Sequence, residues 1–405
     1  MFQSVQPAPP DAILGLTEAF KADANPDKIN LAVGVYKDEH GNTPTLAAVT
    51  AAEKWLVDNE PTKAYLGIDG SPGYGRSTRE LLFGPGSDLI DNGRAVTFQC
   101  PGGTGALRIA GDYLAGNHAG ATLWLSDPTW ANHHAIFQAA GLPTQTYAYL
   151  DAEANALDFD GMLSALDGVK PGDVVLLHGC CHNPTGVDPT LDQWRQIAER
   201  LQSIGAMPLI DFAYQGFAVD VEADAAGLRE VLRICDEALV CSSYSKNFGL
   251  YRERVGALTA VAANRTQAAA VQSQVKATIR RNYSNPPAHG ALVVERILDD
   301  AKLTQQWLDE LADMRSRING MRSDLRQALD HRGVVLGDPN ASDGGNGFIE
   351  QQNGMFTMSG LSKDQVNALK ADHAIYIVGS GRINVAGITP SNLDRLCDAI
   401  AAVVA

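Results

Sequence analysis

Between about residue 95 and residue 262, short apolar runs alternate with longer stretches whose apolar residues recur at helical spacing. The runs are Val96–Cys100, Thr122–Ser126, Thr144–Leu150, Val174–His178, Pro208–Phe212, Leu239–Ser243 and Val255–Val261. They are rich in β-branched and aliphatic residues and too short for helices, so they predict strands, and the stretches between them predict helices. A strand–helix rhythm of this kind implies an α/β body, a mostly parallel sheet wrapped by helices. Ligands in such sheets bind beyond the carboxyl ends of the strands. Polar residues just past each run are therefore the place to look for chemistry, and they read GGTGA, DPTW, HGCCHNPTG, DFAYQGF and SYSKNFG.

Downstream, the pattern predicts helices over about Ala288 to Asp300 and Thr304 to Arg332. From about Phe348 it predicts strand, helix, strand, helix, with GMFTMSG and IYIVGSGRINVAG as the strands and Gly344, Gly345 and Gly347 marking the loop before them. This tail reads as part of a second, smaller domain that the residues before about 45 join. The chain contains no internal repeat.

Composition narrows the picture. With 405 residues, 45% hydrophobic and 20% charged, the chain suits a folded body of at least two lobes, since single cores stop growing at roughly 250 to 300 residues. Its formal charge of -15 and the lack of any Lys/Arg run argue against nucleic acid and membrane surfaces. An anionic ligand would then be held by a few arginines fixed in a cleft. The start MFQSVQPAPP has neither a basic region nor an apolar core, and no 18-residue apolar stretch occurs, which predicts a cytoplasmic protein. Six cysteines without framework spacing predict reduced thiols.

One lysine, Lys246, stands among small hydroxyl residues just past a predicted strand. A lysine that forms a Schiff base needs a lowered pKa, which burial or nearby cations supply. Alone, it reads as a surface lysine. Eight residues on, Arg254 offers a planar fork for a phosphate, and Ser243 and Ser245 offer hydroxyls. Gly102-Gly103-Thr104-Gly105-Ala106 lies between a strand and a helix, where free N–H groups and the helix dipole attract anions. Asp211 could hold a proton on a pyridine nitrogen and make the ring an electron sink, or it could cap a following helix. Tyr214 and Asn183 could hydrogen-bond a ring hydroxyl. Trp130 offers a stacking face, although a tryptophan also suits a core, and His133 is a candidate to keep Asp211 ionised. Together these residues suit pyridoxal 5'-phosphate.

The strings NLAVGVYKDE, YLGIDG, PGGTGALR, DPTWANH, HGCCHNPTG, DFAYQGF, SYSKNFGLYRERVGA, RRNYSNPPAHG and GRINVAG, in this order, resemble the class I, fold-type I pyridoxal-phosphate aminotransferases, in the branch of the aspartate and aromatic enzymes. The likeness runs from about residue 10 to the C-terminus. It implies a large domain, residues 46–311, with a mostly parallel, mixed seven-stranded sheet flanked by helices. It also implies a smaller discontinuous α+β domain, residues 13–45 and 312–405, and an N-terminal arm, residues 1–12. By the same likeness Lys246 carries the cofactor and shuttles the proton, Asp211 pairs with the ring nitrogen, Asn183 and Tyr214 meet the ring hydroxyl, and Trp130 stacks on the ring. Gly103, Thr104, Ser243, Ser245 and Arg254 would hold the phosphate, with Tyr65 reaching in from a second subunit. Arg382 would bind the substrate α-carboxylate and Arg280, across the interface, the distal one. Gly34 would touch substrate through its backbone. A homodimer follows from the family's use of Tyr65, Arg280 and Ser284 between subunits.

The resemblance implies ping-pong transfer of an amino group from an amino acid to a 2-oxo acid, with aspartate and 2-oxoglutarate as the first choice and phenylalanine, tyrosine or tryptophan as the alternative. A non-catalytic regulator and a decarboxylase or lyase on the same scaffold are remoter readings. Gly70–Ser77 nearly matches a phosphate-binding loop but has Arg76 where lysine belongs; it is expected to be an irregular loop near the cofactor phosphate and the subunit interface. His178, Cys180, Cys181 and His182 look like metal ligands, yet adjacent cysteines on one strand would point opposite ways, so no metal is expected.

Overall fold

The computed structural model describes residues 2–7, 14–341 and 344–405. Residues 1 and 8–12 of the expected arm, and residues 13, 342 and 343 of the expected small domain, lie outside the described residues.

Apolar runs without polar alternation need cover on both faces, and that is how the strands are used. The strands are β1 (Ala95–Pro101), β2 (Leu123–Asp127), β3 (Thr144–Ala148), β4 (Val174–His178), β5 (Met207–Phe212), β6 (Ala238–Ser243) and β7 (Val255–Val261). They form one seven-stranded sheet in the order β1-β7-β6-β5-β4-β2-β3. Every residue of β4 and β7 is buried. Successive side chains go to opposite faces. Val174 and Leu176 pack with Phe98, Leu209 and Leu258, whereas Val175 and Leu177 pack with Ile210, Val240 and Ala257. Two separate cores result, one on each side of the sheet.

Only β7 runs against its neighbours, antiparallel to both β1 and β6. The other pairs, β3 with β2, β2 with β4, β4 with β5 and β5 with β6, are parallel. Six carboxyl ends therefore share one edge of the sheet, and the amino end of β7 joins them there. The run expected to continue to Leu150 stops at Ala148. Leu150–Asp151 instead pairs with Ala156–Leu157 in a small ladder of its own, beside Tyr149, whose hydroxyl donates to the carbonyl of Val187 at 2.8 Å.

Four helices matter for the site: α1 (Gly102–Asn117), α2 (Asn132–Ala139), α3 (Arg265–Asn282) and α4 (Ala301–His331). α1 leaves the end of β1 directly and buries Leu107, Ile109, Ala110 and Leu114 on the Phe98 face. α4 begins three residues earlier than its periodicity predicts, because the Asp300 side chain accepts the N–H groups of Lys302 and Leu303 and caps it. Gly70–Ser77 is not an irregular loop. Ser71 precedes a helix, Pro72–Phe83, whose proline in the first turn lacks the N–H that would go unpaired there.

The strand expected over IYIVGSGRINVAG is split by a turn at Gly381. Its first part, Ile375–Tyr376, lies parallel to Ile29–Asn30, and its second, Arg382–Asn384, lies antiparallel to Phe356–Met358. The early and late parts of the chain thus share a ladder. No helix among the described residues is long and apolar enough to cross a membrane.

One buried cation fastens this C-terminal region to α4. Arg322 is 1% exposed, and its two Nη atoms donate to the carbonyls of Ile349, Gly354 and Phe356 at 2.7 to 2.8 Å. Burial lowers its pKa to about 10, so it stays charged at neutral pH. Replacing it with methionine would keep most of the volume but leave three carbonyls unpaired, each worth about 1 to 3 kcal/mol when buried. Arg322→Met is expected to lower stability by at least about 3 kcal/mol in denaturant unfolding, and Arg322→Lys to recover little of it, since one ammonium cannot reproduce the fork. A loss under about 1 kcal/mol would contradict this account.

Candidate active site

The shared edge of the sheet opens into a cavity of about 660 Å³. Twelve of the fourteen residues singled out in the sequence line it: Gly34, Gly103, Thr104, Trp130, Asn183, Asp211, Tyr214, Ser243, Ser245, Lys246, Arg254 and Arg382. They come from positions 34 to 382, so only the closed fold brings them together.

The reversal of β7 explains how two of them meet. Between Ser243, the last residue of β6, and Val255, the first of β7, the chain makes one excursion over the edge. The register then sets Gly256 against both Ser243 and Cys100. Lys246 and Arg254 both lie on this excursion and are delivered beside the start of α1. There Gly102, at φ +76, allows close approach: a Cβ in its place would lie 2.3 Å from an Arg254 Nη. Arg254 itself holds a left-handed backbone, φ +56, a conformation that costs a non-glycine residue about 1 to 2 kcal/mol. Its Nη1 donates to the Tyr251 carbonyl at 3.0 Å and to Ser245 Oγ at 3.3 Å. The first N–H groups of α1 have no acceptor within the helix. This corner therefore gathers an arginine, hydroxyls and free amides without a carboxylate, and so presents itself to an anion.

Asp211 is the fifth residue of β5 and pairs in register with His178 of β4. It caps no helix. Its Oδ2 accepts from Nε2 of the fully buried His133 at 3.0 Å, while His133 Nδ1 meets Thr129 Oγ1 at 2.8 Å and Thr129 meets His178 Nε2 at 3.2 Å. Burial alone would raise the Asp211 pKa; the His133 hydrogen bond, helped by the charge of Lys246, outweighs it and holds the carboxyl below its ordinary value. Burial drives His178 down to about 3, so that ring is neutral. Lys246 is lowered to about 8, mainly by burial and further by Arg254 and Arg382, against the pull of Asp211. Its Nζ stands 4.7 Å from the centre of the Tyr214 ring.

At the far side, Arg382 is buried, with Nη1 donating to Asn183 Oδ1 at 2.9 Å and Nη2 to the Ala32 carbonyl at 2.6 Å. Its Nε has no partner among the described residues. The Phe356 ring lies 4.1 Å from the guanidinium. It also packs against Gly34, where a Cβ would come within 2.6 Å of it. Trp130 lines the cavity and meets His133 edge-on.

Two predicted residues are elsewhere. Tyr65 is 94% exposed, and Arg280 is exposed near the end of α3, hydrogen-bonded to Ser284 Oγ. Neither lines this chain's cavity. Sequence reading missed Tyr251, Phe356 and Thr129. Tyr251, five residues beyond Lys246, accepts the Tyr36 N–H at 3.0 Å; its place on the same excursion was a usable signal. Phe356 carried none, because its partners lie far away in the chain. The geometry also corrects the expectation for Cys180 and Cys181. The strand ends at His178 and Cys181 is left-handed at φ +49, so both sulfurs and the Asp224 carboxylate converge within 4.8 Å. Burial raises both thiols, Cys181 to about 11, and three backbone N–H groups already occupy Asp224.

The chain matches the model of the family "Aminotransferase class I and II" over residues 26–400. It is 54% identical over 404 residues to the aspartate aminotransferase of Escherichia coli (strain K12), covering 100% of both chains. It is 47% identical to the aromatic-amino-acid aminotransferase of Pseudomonas aeruginosa, covering 100% of this chain and 99% of that one. Among solved structures it is similar to an aromatic-amino-acid aminotransferase from Burkholderia pseudomallei covalently bound to pyridoxal phosphate, with a TM-score of 0.95, 46% identity and full coverage of both chains.

The depressed Lys246 pKa gives a direct check. In cofactor-free protein, labelling of Lys246 by an amine-reactive reagent, followed by peptide mass spectrometry, should rise through about pH 8, because only the neutral amine reacts. Ordinary lysines rise near about pH 10.4. A Lys246 profile that rises only with theirs would contradict the environment described.

Proposed function

Since the chain belongs to the class I and II aminotransferases, we propose that it moves an amino group between aspartate and 2-oxoglutarate with pyridoxal 5'-phosphate. The observation that carries this reading is the pairing of a half-buried, pKa-lowered Lys246 with an ionised Asp211 in one cavity. The cavity's chemistry fits the cofactor. An anion-seeking corner at Gly103, Thr104, Ser243, Ser245 and Arg254 suits its phosphate. Asp211, whose Oδ1 lacks a partner among the described residues, suits a protonated ring nitrogen. Tyr214, whose hydroxyl has none there either, and Asn183 suit the ring hydroxyl, and Trp130 suits a ring face.

Bound there, the cofactor supplies an aldehyde carbon for an amine and a ring that takes up electron density from the substrate α-carbon. The chain's residues do the rest. Asp211 keeps the proton on the ring nitrogen, and His133 keeps Asp211 an acceptor. Arg382 holds the α-carboxylate through its free Nε and its fork, with Asn183 fixing the fork's orientation. Gly34 lets backbone approach the substrate. Lys246 Nζ, whose lowered pKa of about 8 keeps a neutral fraction available near physiological pH, would carry the proton between the substrate α-carbon and the cofactor's aldehyde carbon.

A second copy of the chain completes the site in this reading. Tyr65 and Arg280 are exposed and lie outside their own chain's cavity, so they serve the neighbouring one in a homodimer, where Arg280 pairs with the distal carboxylate. The small domain comprises residues 13–45 and 312–405, consistent with the ladder between Ile29–Asn30 and Ile375–Tyr376. Residues 46–311 form the cofactor domain, and the free, buried cysteines favour the cytoplasm. Aromatic substrates are the second reading, favoured by the apolar wall of Leu107, Ala135 and Phe356.

Purified protein supplied with cofactor should show a visible absorption band that aspartate shifts and that Lys246→Ala abolishes; no band in the wild type would sink the cofactor assignment. Comparing kcat/KM for aspartate, phenylalanine and tyrosine with 2-oxoglutarate sets the substrate, and a large aromatic excess would put aspartate second.

Mixing tests the shared site. Lys246→Ala and Arg280→Ala chains, each poor with aspartate, should regain about a quarter of wild-type activity after subunit exchange, because half the dimers carry one intact site. Absence of recovery despite exchange would place Arg280 in its own chain's site or in none.

A further inference from the structure

Asn183 sits in the loop between β4 and Pro189, and that loop is built around a carboxylate with no place in the transfer chemistry. Asp188 accepts the backbone N–H of Cys181 at 2.8 Å and of His182 at 2.9 Å. It also accepts Nδ2 of Asn353 at 3.1 Å. No cation among the described residues lies within ion-pair distance of it. Asn353 reaches the same loop a second time, its N–H donating to the Gly186 carbonyl at 2.6 Å. The two residues that follow Cys181 are His182 and Asn183, and Cys181 holds the left-handed φ of +49, which only an outside restraint makes favourable for a residue with a Cβ.

We propose that Asp188 is a positioning residue: its carboxylate fixes the Cys181–Asn183 turn in the shape that presents Asn183 Oδ1 to Arg382 and leaves its Nδ2 for the cofactor ring. This rests on the role proposed for Asn183 at the cofactor. The carboxylate suits the task because it is acceptor-only. Two amide N–H groups pointing at one side chain form a concave anion site, and an asparagine there would turn an NH₂ group toward one of them. Burial pushes the Asp188 carboxyl up to about 6, the three N–H donors partly offsetting it, so near neutral pH it is ionised in a partly buried place. Through Asn353 the same carboxylate ties this loop to the segment that carries Phe356, whose ring packs on the Arg382 guanidinium. Asp188 thus links to both Asn183 and Arg382 through its neighbours.

The test uses Asp188→Asn in cofactor-free and cofactor-loaded protein. Hydrogen exchange at the Cys181 and His182 amides is expected to quicken about tenfold in both forms, with the cofactor's absorption band retained. In the loaded enzyme kcat/KM for aspartate is expected to fall about tenfold. Combining it with Asn183→Ala should cost little beyond Asn183→Ala alone, the non-additivity of residues that act through one another. Asn353→Ala, which removes one donor and leaves the carboxylate, is expected to move exchange and kcat/KM the same way by less, and it serves if Asp188→Asn does not fold. Unchanged exchange at both amides, or fully additive losses in the double variant, would overturn the proposal. If Asn183→Ala alone leaves kcat/KM intact, the role of Asn183 fails while the exchange measurement still decides whether Asp188 holds the turn.

Discussion

Asp211 must remain an anion in a place that favours its neutral form, and much of the surrounding structure follows from that demand. Burial raises a carboxyl pKa; a donated hydrogen bond and nearby positive charge lower it. The donor is His133, itself fully buried and held by Thr129, which is held in turn by His178. That chain of contacts runs along the ends of β4 and β5 and the start of α2. It exists only because parallel strands end together and leave their last side chains side by side. An antiparallel sheet of the same residues would scatter them to both edges.

The seven strands were legible because burial on both faces leaves an uninterrupted apolar run, and all seven runs became strands. Their ends were less legible. Thr144–Leu150 is cut at Ala148, and IYIVGSGRINVAG is divided by Gly381, since edge position and a turn are set by neighbours that local pattern does not contain. In the site, Lys246, Asp211, Asn183 and Arg254 could be named because each stands beside a strand end with a residue type suited to the cofactor, whereas Arg382 could be named only through the family resemblance of GRINVAG. Phe356 could not, because its significance comes from Gly34 and Arg382, which sit elsewhere in the chain. The cysteine pair was misjudged because strand geometry was extended past His178, where the chain already turns.

A chain with a formal charge of -15 nonetheless sets Lys246, Arg254 and Arg382 around one cavity, and neither arginine has a carboxylate within ion-pair distance among the described residues. A cation as deeply buried as Arg382 is unfavourable without a counter-charge until an anion arrives, whereas Arg254 stays exposed to solvent. The phosphate and carboxylates of the proposed ligands meet that need, and each cation depresses the Lys246 amine meanwhile. Binding and amine activation are therefore the same electrostatic arrangement viewed from two groups.

The excursion between β6 and β7 has a consequence of its own. It starts from Ser243 and returns at Val255, and both ends are locked into the sheet by register. Its length is thereby a ruler: Lys246 follows closely on one fixed post, and Arg254 stands immediately beside the other. Insertion or loss of a single residue would leave both strands paired but would shift the amine against the anion corner, altering the reach between them while the fold stayed intact. Among the connecting segments of this enzyme, that one has its residue count dictated by the size of a small molecule.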